Sequence, residues 1–286
     1  NCPIPRLTFL SNSILTFTQF LGVYIFNPLL FFIYGEWKNN INNYDLFIIP
    51  SRKPAIYAAK IIKKKTNKRI IIWYWNAVTK KEINPYKCQK KGYETWSFDI
   101  DDCKKYNMKF GDQYFFNFSD IECNNAISKV DLFYIGKNKG ERLTFINKLK
   151  KYLNDNNITY NINLCNSSNK NKNSFSVKMD YEEVIQNIKL SKSILDLNIK
   201  EQSGLTMRPL EALYFNKKLI TNNNKIIDYY AYEKENTLII ENDNFDEIKT
   251  FLSKPTKKIS NEKLNYYKFD SWLERIINNE EGYYKK

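Results

Sequence analysis

The sequence predicts an α/β protein made of two doubly wound domains. Short apolar runs of the kind that form buried parallel strands alternate along the chain with stretches of helical periodicity, as in helices that cover a sheet. With 286 residues, 43% of them hydrophobic and 16% aromatic, the chain can bury two modest cores. We therefore expect an N-terminal domain over residues 1–125, a second domain over 126–260, and a helix and tail over 261–286.

The chain begins with an unusual uncharged segment. From Leu7 to Gly35 no residue carries a charge, and Phe, Leu, Ile and Tyr dominate. The segment is long enough to cross a bilayer, but Asn27-Pro28 would interrupt a single helix, so two helices are favoured. They form either part of the core or a face that docks on a membrane. Because the chain opens at Asn1 rather than Met, we expect the N-terminal domain to lack its first segment.

Two strands with a helix between them follow. Tyr44–Pro50 and Arg69–Trp75 are apolar strands, and Pro54–Lys65 is an amphipathic helix. Ligands of open α/β sheets collect beyond the carboxyl ends of the strands, so the residues after these strands are ligand-site candidates. The basic pair at the helix start could contact a phosphate or lie in solvent, and the tryptophan could stack on a sugar ring or pack in the sheet. The candidate acceptor-side residues are Arg52, Lys53, Trp75 and Asn76.

A third strand, Glu94–Phe98, leads to the candidate catalytic base. The chain contains no histidine, so a general base would have to be Asp or Glu, or less readily Tyr, Lys or Cys. Asp99 stands at the strand end facing the expected cleft, although capping of the next helix also accounts for an aspartate there. A reaction in which a leaving phosphate takes the proton would need no such base. A fourth strand at Gln113–Phe116 and a polar linker at Ser119–Lys129 complete this half.

The second domain opens with a strand, a glycine-bearing loop and a helix. Val130–Ile135 is the strand, and apolar residues at helical spacing mark the helix over 143–153. A loop of this kind suits a phosphate, because backbone amides at the helix N-terminus point at the ligand and basic side chains add charge. The candidate donor-binding residues of this loop are Gly136, Lys137, Lys139 and Arg142.

A second turn of the same kind lies further along the chain. Ile194–Ile199 is a buried strand, Gly204 is able to take a positive φ, and Thr206 is the N-cap of the next helix. The helix N-terminus and Arg208 supply positive charge for a diphosphate, and Glu211, about one turn deeper, is placed to hold a ribose diol. The candidate donor-binding residues here are Gln202, Ser203, Gly204, Leu205, Thr206, Arg208 and Glu211.

This second turn resembles the C-terminal domain of glycosyltransferases with the two-domain GT-B architecture. Ser203–Leu213 matches the glycine-containing loop and the helix with its Glu-Ala-Leu segment, and Asn216–Thr221 matches the turn and strand that follow. Glu211 matches the second of two glutamates found in many retaining members, whereas the first falls on Ser203. The likeness covers residues 45–275, and its style is that of enzymes that build bacterial lipopolysaccharide or capsule.

The resemblance implies two Rossmann-like domains, with the C-terminal helix crossing back onto the first, and an enzyme. Such an enzyme transfers a sugar from a nucleotide-sugar donor, held by the C-terminal domain, to a surface-polysaccharide or lipid-linked glycan acceptor. We expect it in the cytoplasm, at the inner face of the cell membrane. We expect no cofactor and no metal ion, because the carboxylates of Asp99-Ile100-Asp101 merge into a helix cap.

The net charge and the cysteine content limit the classes of binding partner and cysteine site that we expect. The net charge of +14 favours anionic partners, which include nucleotide sugars, phospholipid surfaces and nucleic acid. The sequence contains no recognisable nucleic-acid-binding motif, so we expect no nucleic-acid partner. Five scattered cysteines without a paired spacing fit a reducing cytoplasm and indicate neither a disulfide framework nor a zinc site.

Two other functions remain open. A transferase of phosphopolyol units would share a basic diphosphate pocket, but such enzymes normally rely on histidines, which this chain lacks. A non-catalytic glycan- or nucleotide-binding module of the same fold is consistent with Ser203 in the place of a glutamate.

Overall fold

The computed structural model describes residues 39–80, 82–115, 128–138, 140–165, 179–199 and 202–285. These residues belong to two compact units whose boundary lies between Trp96 and Ser97. The uncharged segment 7–35 lies outside the described residues, as does most of the predicted linker Ser119–Lys129. The predicted domain boundary at residue 125 therefore stays a prediction.

The first sheet has four strands in the order β1-β2-β3-β4. β1 and β2 are parallel, with Ile48 opposite Ile71, and the side chains of β2 from Ile70 to Tyr74 are buried. Apolar residues on both faces are typical of a strand covered on both sides. The strands are β1 (Leu46–Pro50), β2 (Arg69–Tyr74), β3 (Glu94–Ser97) and β4 (Lys109–Phe110).

Three helices accompany this sheet. α1 packs on β1 and buries Ile56, Ala59 and Ile62, which confirms its predicted apolar face. α2 was not predicted; it begins at Pro85, and the Asn84 side chain accepts a hydrogen bond from the Tyr86 amide at 3.0 Å. The helices are α1 (Lys53–Lys65), α2 (Pro85–Gln89) and α3 (Ile100–Tyr106).

The second sheet has five strands, and every pair is parallel. Their order is β6-β5-β7-β8-β9, in which the first strand of this sheet along the chain lies between the second and the third. The chain winds in opposite directions from β5 and β7, so the crevice of this doubly wound sheet is at their carboxyl ends. The strands are β5 (Val130–Lys137), β6 (Tyr160–Cys165), β7 (Ser191–Asp196), β8 (Lys218–Thr221) and β9 (Thr237–Ile239).

Helices cover this sheet and close its core. α4 contributes Ile146, Leu149 and Leu153, all without solvent exposure, to a core that also includes Leu132 and Leu195 from β5 and β7. The helices are α4 (Arg142–Asp155), α5 (Tyr181–Lys189), α6 (Met207–Tyr214), α7 (Ile248–Ser253), α8 (Asn261–Tyr266) and α9 (Phe269–Asn278).

The prediction of a strand at Gln113–Phe116 was wrong for its described part. Residues 111–114 form no strand, and Phe115 makes an isolated bridge with Lys268 instead. The amide of Phe115 donates to the carbonyl of Tyr267 at 3.0 Å, and its carbonyl accepts from the Phe269 amide at 3.0 Å. These contacts lie between α8 and α9, so the single helix expected within residues 261–286 is two helices instead.

The segment after α9 also returns to residues 110–115. The Gly282 amide donates to the Phe110 carbonyl at 3.0 Å, and the Tyr283 amide donates to Asp112 Oδ2 at 3.1 Å. These contacts are made within one compact unit, which begins at Ser97.

Candidate functional site

Two loops leave adjacent strands of the second sheet at the crevice. One connects β5 to α4 over residues 138–141, and the other connects β7 to α6 over 197–206. β5 and β7 are hydrogen-bonded neighbours, with Leu132 opposite Ser193. The two candidate donor-binding loops therefore lie side by side. We call them the first turn and the second turn.

In the first turn, packing against Tyr134 explains why position 136 is a glycine. A Cβ atom on Gly136 would lie 2.3 Å from the hydroxyl oxygen of Tyr134, a side chain that is 2% exposed. The missing Cβ thus makes room for a buried tyrosine hydroxyl, which has no hydrogen-bond partner among the described residues. Gly140, at φ +56°, has open space around its Cα and supplies the left-handed conformation that turns the chain into α4.

Arg142 bridges the two turns. Its guanidinium donates to the Lys137 carbonyl at 3.1 Å and also to the Leu197 carbonyl, at the ends of β5 and β7. Its Nε is buried without a hydrogen-bond partner among the described residues. Of the remaining candidates in this turn, Lys137 is exposed at the end of β5, and Lys139 lies outside the described residues.

A buried carboxylate holds the second turn. Asp196, at the end of β7, is 1% exposed and accepts hydrogen bonds from Thr206 Oγ1 at 2.8 Å and Thr221 Oγ1 at 3.0 Å. Thr206 also caps α6 by accepting from the Arg208 amide at 3.1 Å, which confirms the predicted N-cap. One aspartate thus fixes the start of α6 to the ends of two strands.

Arg142 and Arg208 both affect the pKa of two buried groups, Asp196 and Tyr134. Burial raises the pKa of Asp196, and the charges of Arg208 and Arg142 oppose that rise. Burial also raises the pKa of Tyr134, and the same two arginines again act against it. Arg142 and Arg208 therefore lie at the same edge of the sheet, each within electrostatic reach of Asp196.

Arg208 forms an ion pair with Glu211 one turn further along α6. The Glu211 side chain is 1% exposed, so the guanidinium compensates a carboxylate that would otherwise be buried unpaired. The hydroxyl of Tyr181 donates to the other carboxylate oxygen of Glu211 at 3.2 Å. Burial raises the pKa of Tyr181, and the Glu211 charge raises it further, so this hydroxyl remains a donor.

Tyr181 is a site residue that the sequence analysis missed. It is the first residue of α5 and is 47% exposed. A signal was available, because Asp180 and Glu183 form a capping box that marks the start of the helix. The capping box fixes where α5 begins, but only the fold places its first residue beside α6.

Asp99 is tied to the second turn. Its carboxylate accepts hydrogen bonds from the Ser203 amide at 2.8 Å, the Gly204 amide at 2.9 Å and the Ser203 hydroxyl at 2.6 Å. It also caps α3 through two further backbone amides, and it is 1% exposed. Both oxygens are thus occupied by donors, which is the arrangement of a structural carboxylate. Its role as a catalytic base stays a prediction.

Two carbonyls of the second turn accept hydrogen bonds from side chains, whereas Asn198 Oδ1 is buried without a hydrogen-bond partner among the described residues. The Ser203 carbonyl accepts from Asn223 Nδ2 and from the Tyr229 hydroxyl, each at 3.3 Å. The Gly204 carbonyl accepts from the side chains of Asn198 at 3.2 Å and Gln202 at 3.1 Å. Side-chain donors therefore hold the backbone of the turn at Ser203 and Gly204.

Gly204 was expected to reverse the chain by taking a positive φ, and this prediction was wrong. Among the described glycines, positive φ occurs at Gly92 and Gly140, so Gly204 does not reverse the chain through a left-handed conformation. A Cβ on Gly204 would instead lie 2.6 Å from the ring of Phe98 and 2.9 Å from its carbonyl oxygen. The glycine permits close packing on Phe98, and the neighbouring Leu205 is 2% exposed.

The acceptor-side candidates follow β1 and β2 in the first unit. Arg52 is exposed at the N-cap of α1, and Lys53 is the first residue of that helix. Trp75 is 45% exposed, which excludes a place in the core of the sheet. Asn76 is exposed, and its amide lies 3.5 Å from Glu82 Oε1. Their assignment to an acceptor stays a prediction.

The described part of the chain contains neither a metal centre nor a membrane span. There, no three His, Cys, Asp or Glu side chains gather as a metal site would require. No helix within the described ranges combines the length and the apolar character needed to span a bilayer.

Comparison with known proteins finds similarity at the level of structure. No protein-family model and no curated protein matches the chain. A glycosyltransferase from Rickettsia africae ESF-5 is similar over 85% of this chain and 78% of its own, with a TM-score of 0.55 and 12% identity. An S. aureus MnaA–UDP co-structure is similar over 84% of this chain and 74% of its own, with a TM-score of 0.46 and 9% identity. The first of these similarities confirms the predicted α/β fold with two Rossmann-like parallel sheets.

Proposed function

We propose that this protein is a glycosyltransferase that takes a sugar from a nucleotide-sugar donor. The observation that carries the proposal is the meeting of Arg142, Arg208 and the buried Glu211 at the carboxyl ends of β5 and β7. This edge is where doubly wound sheets bind nucleotides. The R. africae protein, whose fold this chain shares, is named a glycosyltransferase, and this supports the same class.

The diphosphate of the donor binds at the second turn in this proposal. The N-terminus of α6 provides the positive end of a helix dipole, and Arg208 in its first turn adds a fixed cation. Arg142 donates to two carbonyls, so it contributes through its charge and by holding both turns in place. Gly136, Lys137 and Lys139 complete the predicted set in the first turn.

Glu211 holds the ribose. Its Oε2 is paired with Arg208, and its Oε1 accepts from Tyr181, which is partly exposed. A ribose diol donates the same kind of hydrogen bond as the tyrosine hydroxyl and can take its place on Oε1. The carboxylate therefore stays charge-compensated throughout, which limits the cost of keeping it buried.

In the reaction, the acceptor oxygen forms a bond to the anomeric carbon while the bond from that carbon to the phosphate oxygen breaks. Negative charge grows on the leaving diphosphate, and preorganised cations near it stabilise the transition state. Because Asp99 already accepts five hydrogen bonds, we propose that the acceptor proton passes to the leaving phosphate. No metal ion and no cofactor is required.

The finer assignments belong to the same proposal. The acceptor is a surface-polysaccharide or lipid-linked glycan, bound near Arg52, Lys53, Trp75 and Asn76. The enzyme works in the cytoplasm at the inner face of the membrane, where such acceptors are built, and the uncharged segment 7–35 contributes to that location.

A thermal-shift panel of UDP, GDP, CDP and CMP tests the donor site. At a concentration of 100 times Kd, a bound nucleotide stabilises the protein by about 2.7 kcal/mol. We expect one nucleoside diphosphate to raise Tm, and Arg208→Ala and Glu211→Gln to abolish that rise. Lys148→Ala, an exposed lysine paired with Asp243 on the outer surface, is the matched control and should leave the rise unchanged. No response to any nucleotide would contradict the proposal.

Donor hydrolysis separates the enzyme from a non-catalytic binding module of the same fold. Ser203 favours the module, because it stands where many retaining glycosyltransferases have a glutamate. Its hydroxyl donates a hydrogen bond to Asp99. Slow release of nucleoside diphosphate from one sugar nucleotide, lost in Arg208→Ala, supports the enzyme. Nucleotide binding without release from a broad donor panel supports the module.

A further inference from the structure

Positive charge is concentrated in one part of the chain. Residues 39–96 contain thirteen Lys and Arg against three Asp and Glu, whereas residues 97–286 contain thirty against twenty-seven. An excess of ten charges thus falls on the first of these segments, out of a net charge of +14 for the whole chain. A general abundance of lysine would have raised both segments alike, so the first unit carries a specific bias.

Lysines of α1 and of the turn after α2 lie close together. Lys60, Lys63 and Lys64 have the i, i+3, i+4 spacing that places side chains on one face of a helix. The amine of Lys63 lies 3.7 Å from the position that a Cβ on Gly92 would take. Burial lowers the pKa of Lys60, and the charges of Lys91 and Lys64 lower it further.

Two more exposed lysines, Lys87 and Lys90, lie on α2 and at its C-cap, a few positions before Lys91 in the chain. We call the cluster of Lys60, Lys63, Lys64 and Lys91 the lysine face.

The carboxylates of residues 39–96 are engaged with other residues. Asp45 pairs with Lys68, and Glu82 accepts from the Ser51 hydroxyl at 2.8 Å. Glu94 binds Arg69 through both of its oxygens, at 2.7 and 2.9 Å. The lysine face therefore combines like charges, and a like-charged i, i+4 pair such as Lys60 and Lys64 is unfavourable in an isolated helix. An anionic partner relieves that repulsion.

We propose that the lysine face docks the protein onto the surface of an anionic lipid bilayer. A bilayer presents many phosphates in a plane, and lysines reach it with flexible apolar stems and compact charges. Tyr86 is 46% exposed next to Lys87, and tyrosine favours the interface between lipid and water. The face contains no arginine for bidentate phosphate recognition and no series of aromatic side chains for stacking bases, so a nucleic acid fits it less well.

Vesicle co-sedimentation of the full chain tests the proposal. Phosphatidylcholine vesicles with and without phosphatidylglycerol are compared at low and high salt. We expect binding to the anionic vesicles only, and a loss of binding as salt screens the charges. Each lysine near an anionic surface contributes about fivefold to partitioning.

The decisive variant combines Lys60→Gln, Lys63→Gln, Lys64→Gln and Lys91→Gln. We expect it to weaken binding to anionic vesicles by at least about 100-fold. The matched control removes the same charge from exposed lysines of the second unit, through Lys151→Gln, Lys249→Gln, Lys254→Gln and Lys258→Gln. The control should change binding by only a few-fold, and the Tm of each variant shows whether it is folded.

Three results would overturn the proposal. The first is failure of the wild type to bind anionic vesicles. The second is an equal loss of vesicle binding in both quadruple variants. The third is a lysine-face variant that loses binding to duplex DNA or RNA and keeps its binding to the vesicles. The last result would assign the face to a nucleic acid. None of these results depends on nucleotide binding by the second unit, so the test is separate from that of the proposed function.

Discussion

The first and second turns stand side by side on neighbouring strands but are held in different ways. In the first turn Arg142 reaches the carbonyls of Lys137 and Leu197, and the Asn138 amide donates to the Cys165 carbonyl at 2.9 Å. The residue before α4, Glu141, makes no side-chain cap hydrogen bond. The second turn is fixed by Asp99, Asp196 and Asn223, which come from three separate parts of the chain, and α6 is capped by Thr206. Equivalent positions in a sheet thus need not be equally rigid. The second turn is held by side chains from three parts of the chain, and Arg142 bridges the first turn to it.

Removal of Asp99 is the strongest test of this contrast. Asp99→Ala leaves the buried amides of Ser203 and Gly204 without acceptors, at about 1–3 kcal/mol for each unsatisfied group. We expect the free energy of unfolding, measured with urea, to fall by about 3–5 kcal/mol. Asp101→Ala is the control, because Asp101 is 54% exposed in a surface pair with Lys225 and should cost less than about 1 kcal/mol. Equal effects of the two substitutions would remove the distinction.

Substitution of Gly204 is the second test. The new methyl group would meet the ring and carbonyl of Phe98, and overpacking of this kind costs about 1–3 kcal/mol. Gly140→Ala is the matched change in the first turn; it meets open space and carries only the cost of its positive φ, about 1–2 kcal/mol. We further expect Gly204→Ala, but not Gly140→Ala, to weaken nucleotide binding in the thermal-shift assay. The reverse order in binding would make the first turn the more critical one.

The bridge itself is tested by Arg142→Lys. Lysine keeps the charge but has a single amine in place of the fork that reaches both Lys137 and Leu197. We expect a loss of about 1–2 kcal/mol in the free energy of unfolding, together with faster amide hydrogen exchange in the first turn. Exchange in the second turn should stay unchanged, and a change in both turns would show that they form one unit.

A pH series gives the smallest effect and concerns the second turn alone. Burial raises the folded-state pKa of Asp196 above its ordinary value of 3.8, so the folded protein binds a proton more readily than the unfolded chain does. The Asp196 carboxyl therefore stabilises the fold at low pH, and this stabilisation is lost as pH rises from 3.8 through the raised pKa. Asp196→Asn should flatten this dependence, whose slope for a single group is at most about 1.4 kcal/mol per pH unit. Asp112, whose pKa burial raises to about 6, titrates in the same range, so the difference between wild type and variant is the quantity to measure.

Local sequence signals predicted much of this site. The apolar runs predicted β5 and β7, and Thr206 with Pro209 placed the start of α6 at the observed residue. Such features depend on residues within a few positions of one another, so the sequence alone contains the information.

Contacts between distant residues were not predictable in the same way. Asp99 and Ser203 are 104 positions apart, and an aspartate after a strand is an ordinary cap until the fold brings a second set of amides to it. Gly204 was misread for a related reason, because the space that a glycine leaves is filled by Phe98, about as far away along the chain. Tyr181 likewise gains its meaning from Glu211, on a different helix.

The fastening of the tail to residues 110–115 has a consequence for biosynthesis. Asp112 receives the amide of Tyr283, which is separated from it by 171 positions. A nascent chain that has reached α7 still leaves this acid without its partners, so we expect the unit to stay incompletely packed until the ribosome has released residues up to Tyr283. Chaperones that recognise unfinished chains would then have an unusually long interval in which to engage this one.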